Sequence, residues 1–198
     1  MENIIDERCQ FESLLKSTSR NGIEQLLQWL DEHGFYESPA SVRRHDNNVG
    51  GLLHHSLCVA KIALEMYEVA TDFHSDADND SSLATFSRSN VVIAALLHDL
   101  CKVGLYRFSQ SAGVFRIDRR VASQGHGRRS VALLERIGFV LEPKEALAIR
   151  WHMGAYTSDL CRVESVADAD IIMCKCPLVG LIHEADSQAV GNLSEERC

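Results

Sequence analysis

The chain has 198 residues with 28 Asp plus Glu against 20 Lys plus Arg, a formal charge of −8 that leaves nine His uncounted. An apolar share of 45% and a charged share of 24% are those of an ordinary soluble domain and exclude a disordered, collagen-like or coiled-coil chain. The acidic balance argues against an extended nucleic-acid surface, which needs a basic face, while a local positive pocket for a small anion stays compatible with it.

No apolar stretch approaches the ~20 residues that span a bilayer, and the start MENIIDERCQ lacks a basic-then-apolar leader pattern, so a cytoplasmic protein with no membrane partner is expected. Seven scattered Cys form no disulfide framework and are expected to be reduced; Cys174 and Cys176 lack the second pair of a zinc ribbon and read as incidental or structural thiols.

In chain order, Phe11, Leu14 and Leu15, then Ile23, Leu26, Leu27 and Leu30, have the i, i+3, i+4 spacing of two amphipathic helices broken at residues 19–22. We divide the chain into a helical extension, 1–33, packed on the core, and a main domain, 34–198. A turn-rich connector at 34–51 leads into an apolar helix over 52–69. Residues 71–90 are polar and predict an exposed loop. Within it Asp76, Asp78 and Asp80 have calcium-loop spacing, but Ser81 and Ser87 stand where Gly and Glu are needed. A buried helix follows over 90–102. Alternating residues at 105–108 and 114–117 predict a short hairpin. Further helices are expected over 127–137, 142–152, 165–173 and 177–189, giving an all-α bundle with one hairpin insertion.

Several polar groups interrupt apolar helices. His98 and Asp99 end the run VVIAALLHDL, His55 lies in GLLHHSLCV, His126 follows Gly125, His152 lies in AIRWHMG and Asp186 in LIHEAD. Buried imidazole and carboxylate need partners, and together they suit Mn, Fe, Co, Ni or Zn. Six such ligands are enough for two ions that share a carboxylate and keep positions open for water and substrate.

The segments SPASVRRH, GGLLHHSLCV, LLHDLCKV, GHGRRSV, AIRWHMG and PLVGLIHEAD, in this order over 38–186, resemble the HD-domain superfamily of metal-dependent phosphohydrolases in its six-ligand form. They look like one bacterial and phage group, similar also to the HD domain of a 3′-to-5′ exoribonuclease family. The resemblance implies an all-α HD bundle and two divalent ions drawn from Mn, Fe, Co, Ni, Zn or Mg. It assigns His55, His98, Asp99 and Asp186 to one ion and His126 and His152 to the second, with Asp99 as the catalytic bridge. His54 falls in the variable position beside His55. Asp168 and Asp170 in VADAD are the alternative final ligand, matching the family block less well than Asp186.

Lys102, four residues after His98, falls on roughly the same helical face, and the family has Lys there too, so it is expected to bind substrate and serve catalysis. Arg129 stands where the family commonly has Lys and is the second expected substrate-binding cation, although Arg128 replaces an acidic residue. Arg116, Arg119 and Arg120 are a possible anion-binding rim, and His183 shares the face of Asp186. The implied activity is hydrolysis of a nucleotide or short oligonucleotide phosphoester. The alternatives are a diiron oxygenase on the same ligand scaffold and a nucleotide-binding regulatory module.

Overall fold

The computed structural model describes residues 2–41, 46–74, 86–118, 125–154 and 166–195. In order the elements are α1 (Glu2–Ser17), α2 (Ile23–Glu32), α3 (Gly51–His74), α4 (Arg88–Leu97), a 3₁₀ turn (Leu100–Lys102), β1 (Tyr106–Ser109), β2 (Val114–Ile117), α5 (His126–Ile137), α6 (Pro143–Trp151), α7 (Val166–Lys175) and α8 (Pro177–Glu195). Among the described residues the protein is thus a helical bundle with one two-stranded antiparallel hairpin, in which Tyr106 pairs with Ile117 and Ser109 with Val114.

At the centre is α4, whose Val91 to Leu97 run is fully buried. A helix apolar on every side has no face to offer water, so it is enclosed by neighbours. The neighbours are α1, α3, α6 and α8. Ser87 caps α4 by accepting the Asn90 amide, and the Asn90 side chain answers the Ser87 amide. Glu142 and Glu145 cap α6 in the same reciprocal way, with Pro143 in the first turn. Phe11 and Leu15 of α1 lie in the same apolar core as Leu52, Leu53 and Leu96.

Two polar ties fix the frame. Arg20, between α1 and α2, donates to Glu145 Oε1 at 2.6 Å, and fully buried Glu145 also accepts from Asn90 Nδ2 at 2.8 Å. Gly127 lets α5 approach the end of α6, because a Cβ there would overlap the carbonyl oxygens of Ile149 and Arg150.

Several boundaries differ from the sequence reading, among them the end of α8, which runs to Glu195 rather than 189. The helix expected over 90–102 ends at Leu97; His98 still has helical torsions, Asp99 (φ −105°, ψ 19°) leaves them, and the chain resumes as a 3₁₀ turn. At its other end α3 continues to His74 and α4 begins at Arg88, so the polar segment between them is shorter than 71–90. Asp76, Asp78, Asp80, His45, Arg119 and Arg120 lie outside the described residues, as does the side chain of Asp168. Among the described residues no helix is long and apolar enough to cross a membrane.

Candidate metal centre

The break after α4 places two of the site's polar groups. The last carbonyls of a helix have no amide partner one turn on. His98, at the C-cap of α4, donates its Nδ1 proton back to Ala95 O at 2.7 Å. His152, at the C-cap of α6, does the same to Ile149 O at 2.7 Å. In each ring the bonded Nδ1 fixes the tautomer and leaves the Nε2 lone pair facing inward.

Around Asp99 these lone pairs meet the side chains of α3 and α8. His55 Nε2 lies 3.1 Å from Asp186 Oδ1, 3.3 Å from His98 Nε2 and 3.5 Å from Asp99 Oδ2. His98 Nε2 lies 3.3 Å from Asp99 Oδ2 and 3.8 Å from Asp186 Oδ1. Four N or O ligands held at about 2.1 Å around a tetrahedral ion stand about 3.4 Å from one another, close to each of these separations. The other carboxylate oxygen, Asp99 Oδ1, lies 3.7 Å from His152 Nε2 and 4.0 Å from Cys101 Sγ. Cys101 Sγ is in turn 3.4 Å from His126 Nδ1 at the start of α5.

A metal fits here on the evidence of the residues themselves. His55, His98, Asp99 and His152 are at most 4% exposed. Among the described residues the Nε2 of His152 is buried with no hydrogen-bond partner, a costly arrangement for a polar atom unless something else binds it. Three groups have ligand atoms gathered within 4.8 Å: His55 with His98 and Asp99; His98 with His152 and Asp186; and Asp99 with Cys101 and His126.

The electrostatics match. Burial alone would lower the His55 imidazole, but the Asp186 and Asp99 carboxylates raise it to about 9. Burial, reinforced by His98, lowers His152 to about 4, so this ring is neutral near pH 7 with its lone pair available. Asp99 is held well below the usual carboxylate range despite burial, chiefly by the Lys102 ammonium and His98. Asp186 is also held low, by His55 against the effect of burial. Asp99 in turn holds Lys102 above its ordinary value, against burial, through a 2.5 Å contact from Nζ to Oδ2. Burial and the charge of Asp99 push the Cys101 thiol up to about 12.

The structure therefore brings His55, His98, Asp99, His152, Asp186 and Lys102 to one point and sets His126 beside Cys101 at its edge. Lys102 reaches Asp99 three residues back across the 3₁₀ turn, rather than lying on a continuous helix with His98. Arg129 is outside this cluster: it donates to Val103 O at 3.2 Å and lines a cavity of about 310 Å³ with Trp29, His33, Gly104 and Arg136. His54 turns to α1, where Nδ1 is 2.8 Å from Glu7, and Asp170 is exposed.

Two contributors, Ser130 and Cys101, escaped the sequence reading, and a third, His183, is noted there only for sharing the face of Asp186. Ser130 Oγ accepts the Cys101 amide at 3.0 Å and anchors the 3₁₀ turn to α5. His183 Nδ1 donates to His152 O at 2.6 Å and ties α8 to the end of α6. Cys101 is in the sequence only one of seven scattered thiols and carries no signature of its own there.

The HD domain family model matches residues 52–187. Over 66 residues the chain is 36% identical to the dihydroneopterin 2′,3′-cyclic phosphate phosphodiesterase of Methanocaldococcus jannaschii, a match covering 33% of this chain and 23% of that protein. The chain thus aligns with about a quarter of that relative's length. No solved structure matches. The family match contains α3 to α6 and most of α8, the elements that carry every one of the gathered His and Asp side chains, and the chain belongs to the HD-domain family.

Proposed function

We propose that this protein is a metal-dependent phosphohydrolase that cleaves a small nucleotide phosphoester, using His55, His98, Asp99, His126, His152 and Asp186 to hold two divalent ions. The observation that carries this reading is the division of Asp99, with Oδ2 toward His55 and His98 and Oδ1 toward His152 and Cys101. One carboxylate facing two ligand groups is what a shared, bridging ligand requires. Family membership supports the reading, and so does the name of the archaeal relative, which describes a cyclic phosphodiester as its substrate.

Divalent ions held there would neutralise phosphoryl charge and make a water acidic enough to attack near neutral pH. The chain's own residues supply the rest. The carbonyls of Ala95 and Ile149 hold the His98 and His152 rings in the tautomer that leaves Nε2 free. Lys102 stays cationic because Asp99 raises its pKa, so it acts on the substrate by charge and orientation rather than by proton transfer. Arg129, the other cation expected for the substrate, instead donates to the Val103 carbonyl and lines a separate cavity, so no substrate role is given to it.

The test is product analysis of the full chain loaded with Mn²⁺, Co²⁺ or Zn²⁺ and given a 2′,3′-cyclic nucleotide, a linear dinucleotide and a 5′-nucleoside monophosphate. The reading expects at least one of these esters to be hydrolysed with metal and none after chelation. A metal-loaded protein that turns over none of them would overturn it.

A further inference from the structure

The second group around Asp99 contains a sulfur that the family reading does not use. Cys101 is 1% exposed, in the 3₁₀ turn that follows the His98–Asp99 break. Its amide is tied to Ser130 Oγ, so the turn cannot swing freely, and its Sγ lies 3.4 Å from His126 Nδ1 and 4.0 Å from Asp99 Oδ1. Two ligands of one tetrahedral ion, a sulfur at about 2.3 Å and a nitrogen or oxygen at about 2.1 Å, stand about 3.6 Å apart. The two observed separations bracket that value. An independent feature lies beside this group: His152 Nε2, buried and without a hydrogen-bond partner among the described residues, is 3.7 Å from the same Asp99 oxygen, between the sulfur group and the ligand atoms of His98 and Asp186 with which it is also gathered.

We propose that Cys101 is a metal ligand, completing with Asp99 Oδ1, His126 and His152 a second site of one oxygen, two nitrogens and one sulfur beside the N₂O₂ cage of His55, His98, Asp99 and Asp186. This rests on the reading that the protein binds metal at Asp99. A metal–sulfur bond forms as the S–H bond breaks, the sulfur keeping the electron pair and the proton leaving to solvent. The consequence is selectivity: a thiolate favours Zn²⁺, Co²⁺ or Fe²⁺ at this position, whereas oxygen and water ligands suit Mg²⁺ and Mn²⁺. The two positions then differ in kind, the sulfur site taking a thiophilic ion.

The experiment uses the full chain under reducing, oxygen-free conditions with Co²⁺ as the probe, comparing wild type with C101S and C101A. The proposal expects visible d–d bands together with a thiolate-to-cobalt charge-transfer band in the near ultraviolet. The charge-transfer band should be lost in both variants while d–d absorption from the N₂O₂ cage persists. In zinc-loaded wild type, X-ray absorption should find a sulfur neighbour at about 2.3 Å that is missing in C101S. Cobalt d–d bands without charge transfer in wild type would overturn the proposal alone and leave Cys101 as a hydrogen-bond partner that orients His126. A charge-transfer band that survives in C101S would overturn it too, by locating the thiolate at another cysteine. No cobalt absorption of any kind would overturn the metal reading as well. The wild-type spectra decide the matter even if a variant fails to fold.

Discussion

Lys102 Nζ lies 2.5 Å from Asp99 Oδ2, the same oxygen that faces the Nε2 atoms of His55 and His98 at 3.5 and 3.3 Å. One carboxylate oxygen thus has both a resident cation and two imidazoles directed at it. Without metal, Lys102 is the principal positive partner of a buried carboxylate, and removing one partner of such a pair is costly.

Lys102→Met should therefore destabilise the metal-free protein by roughly 3 kcal/mol. The thermal midpoint in EDTA should fall, and saturating Mn²⁺ or Zn²⁺ should recover most of the loss, because a bound ion stabilises the folded state that holds it. Phosphoester turnover should stay low even with metal, since the cation that orients substrate is gone. A melting curve in EDTA unchanged from wild type would mean that the pair contributes little.

Stability of the metal-free protein should be greatest near pH 6.5 and fall on both sides. His55 has its pKa raised to about 9, so its contribution is fully present below the ordinary value of about 6.5 and is lost as pH climbs toward 9. His152 is lowered to about 4; between there and about 6.5 the unfolded chain takes up a proton that the folded one refuses, so stability falls with acid. The depressed Asp99 and Asp186 add to the loss at lower pH. Chemical denaturation from pH 4.5 to 9.5 in EDTA checks this. His55→Gln should flatten the alkaline side, and apparent metal affinity should rise from pH 7 to 9 as His55 surrenders its proton.

Gly127→Ala should cost about 1–3 kcal/mol, because the added Cβ meets backbone rather than a side chain that can move. The contact is with Ile149 and Arg150, one turn before His152, so the shift should also weaken metal binding at His152. Urea denaturation and zinc affinity should both move; an unchanged pair of values would show that α5 and α6 adapt without loss.

Much of the architecture was legible because periodicity reports burial. The all-round apolar VVIAALL read directly as a central helix, and the 3.6-residue stripe of Ile23, Leu26, Leu27 and Leu30 as a covered face. The gathered groups were legible for the opposite reason, since an imidazole or carboxylate in such a background demands a partner. What periodicity could not report is where a helix stops to serve a site. His98 and Asp99 follow the apolar run directly, and nothing local announces that α4 ends at Leu97 and gives the Ala95 carbonyl to an imidazole. Cys101 was hidden because an apolar-looking residue in an apolar run has no signature of its own; its meaning comes from His126, 25 residues on. The tie of Arg20 to Glu145 was equally unreadable, because charge pairs 125 residues apart leave no pattern in sequence.

The most direct measurement of the central claim is hydrolysis of bis-p-nitrophenyl phosphate by the full chain, with metal content determined on the same samples. The substrate asks only for a phosphodiester and a metal-activated nucleophile. Wild type loaded with Mn²⁺, Co²⁺, Ni²⁺ or Zn²⁺ should release p-nitrophenol, EDTA should stop it, and the doubly substituted H98A/D99A protein should hold no stoichiometric metal and show no turnover. Wild type that binds two ions yet releases no product with any metal, or an H98A/D99A protein as active as wild type, would contradict the account.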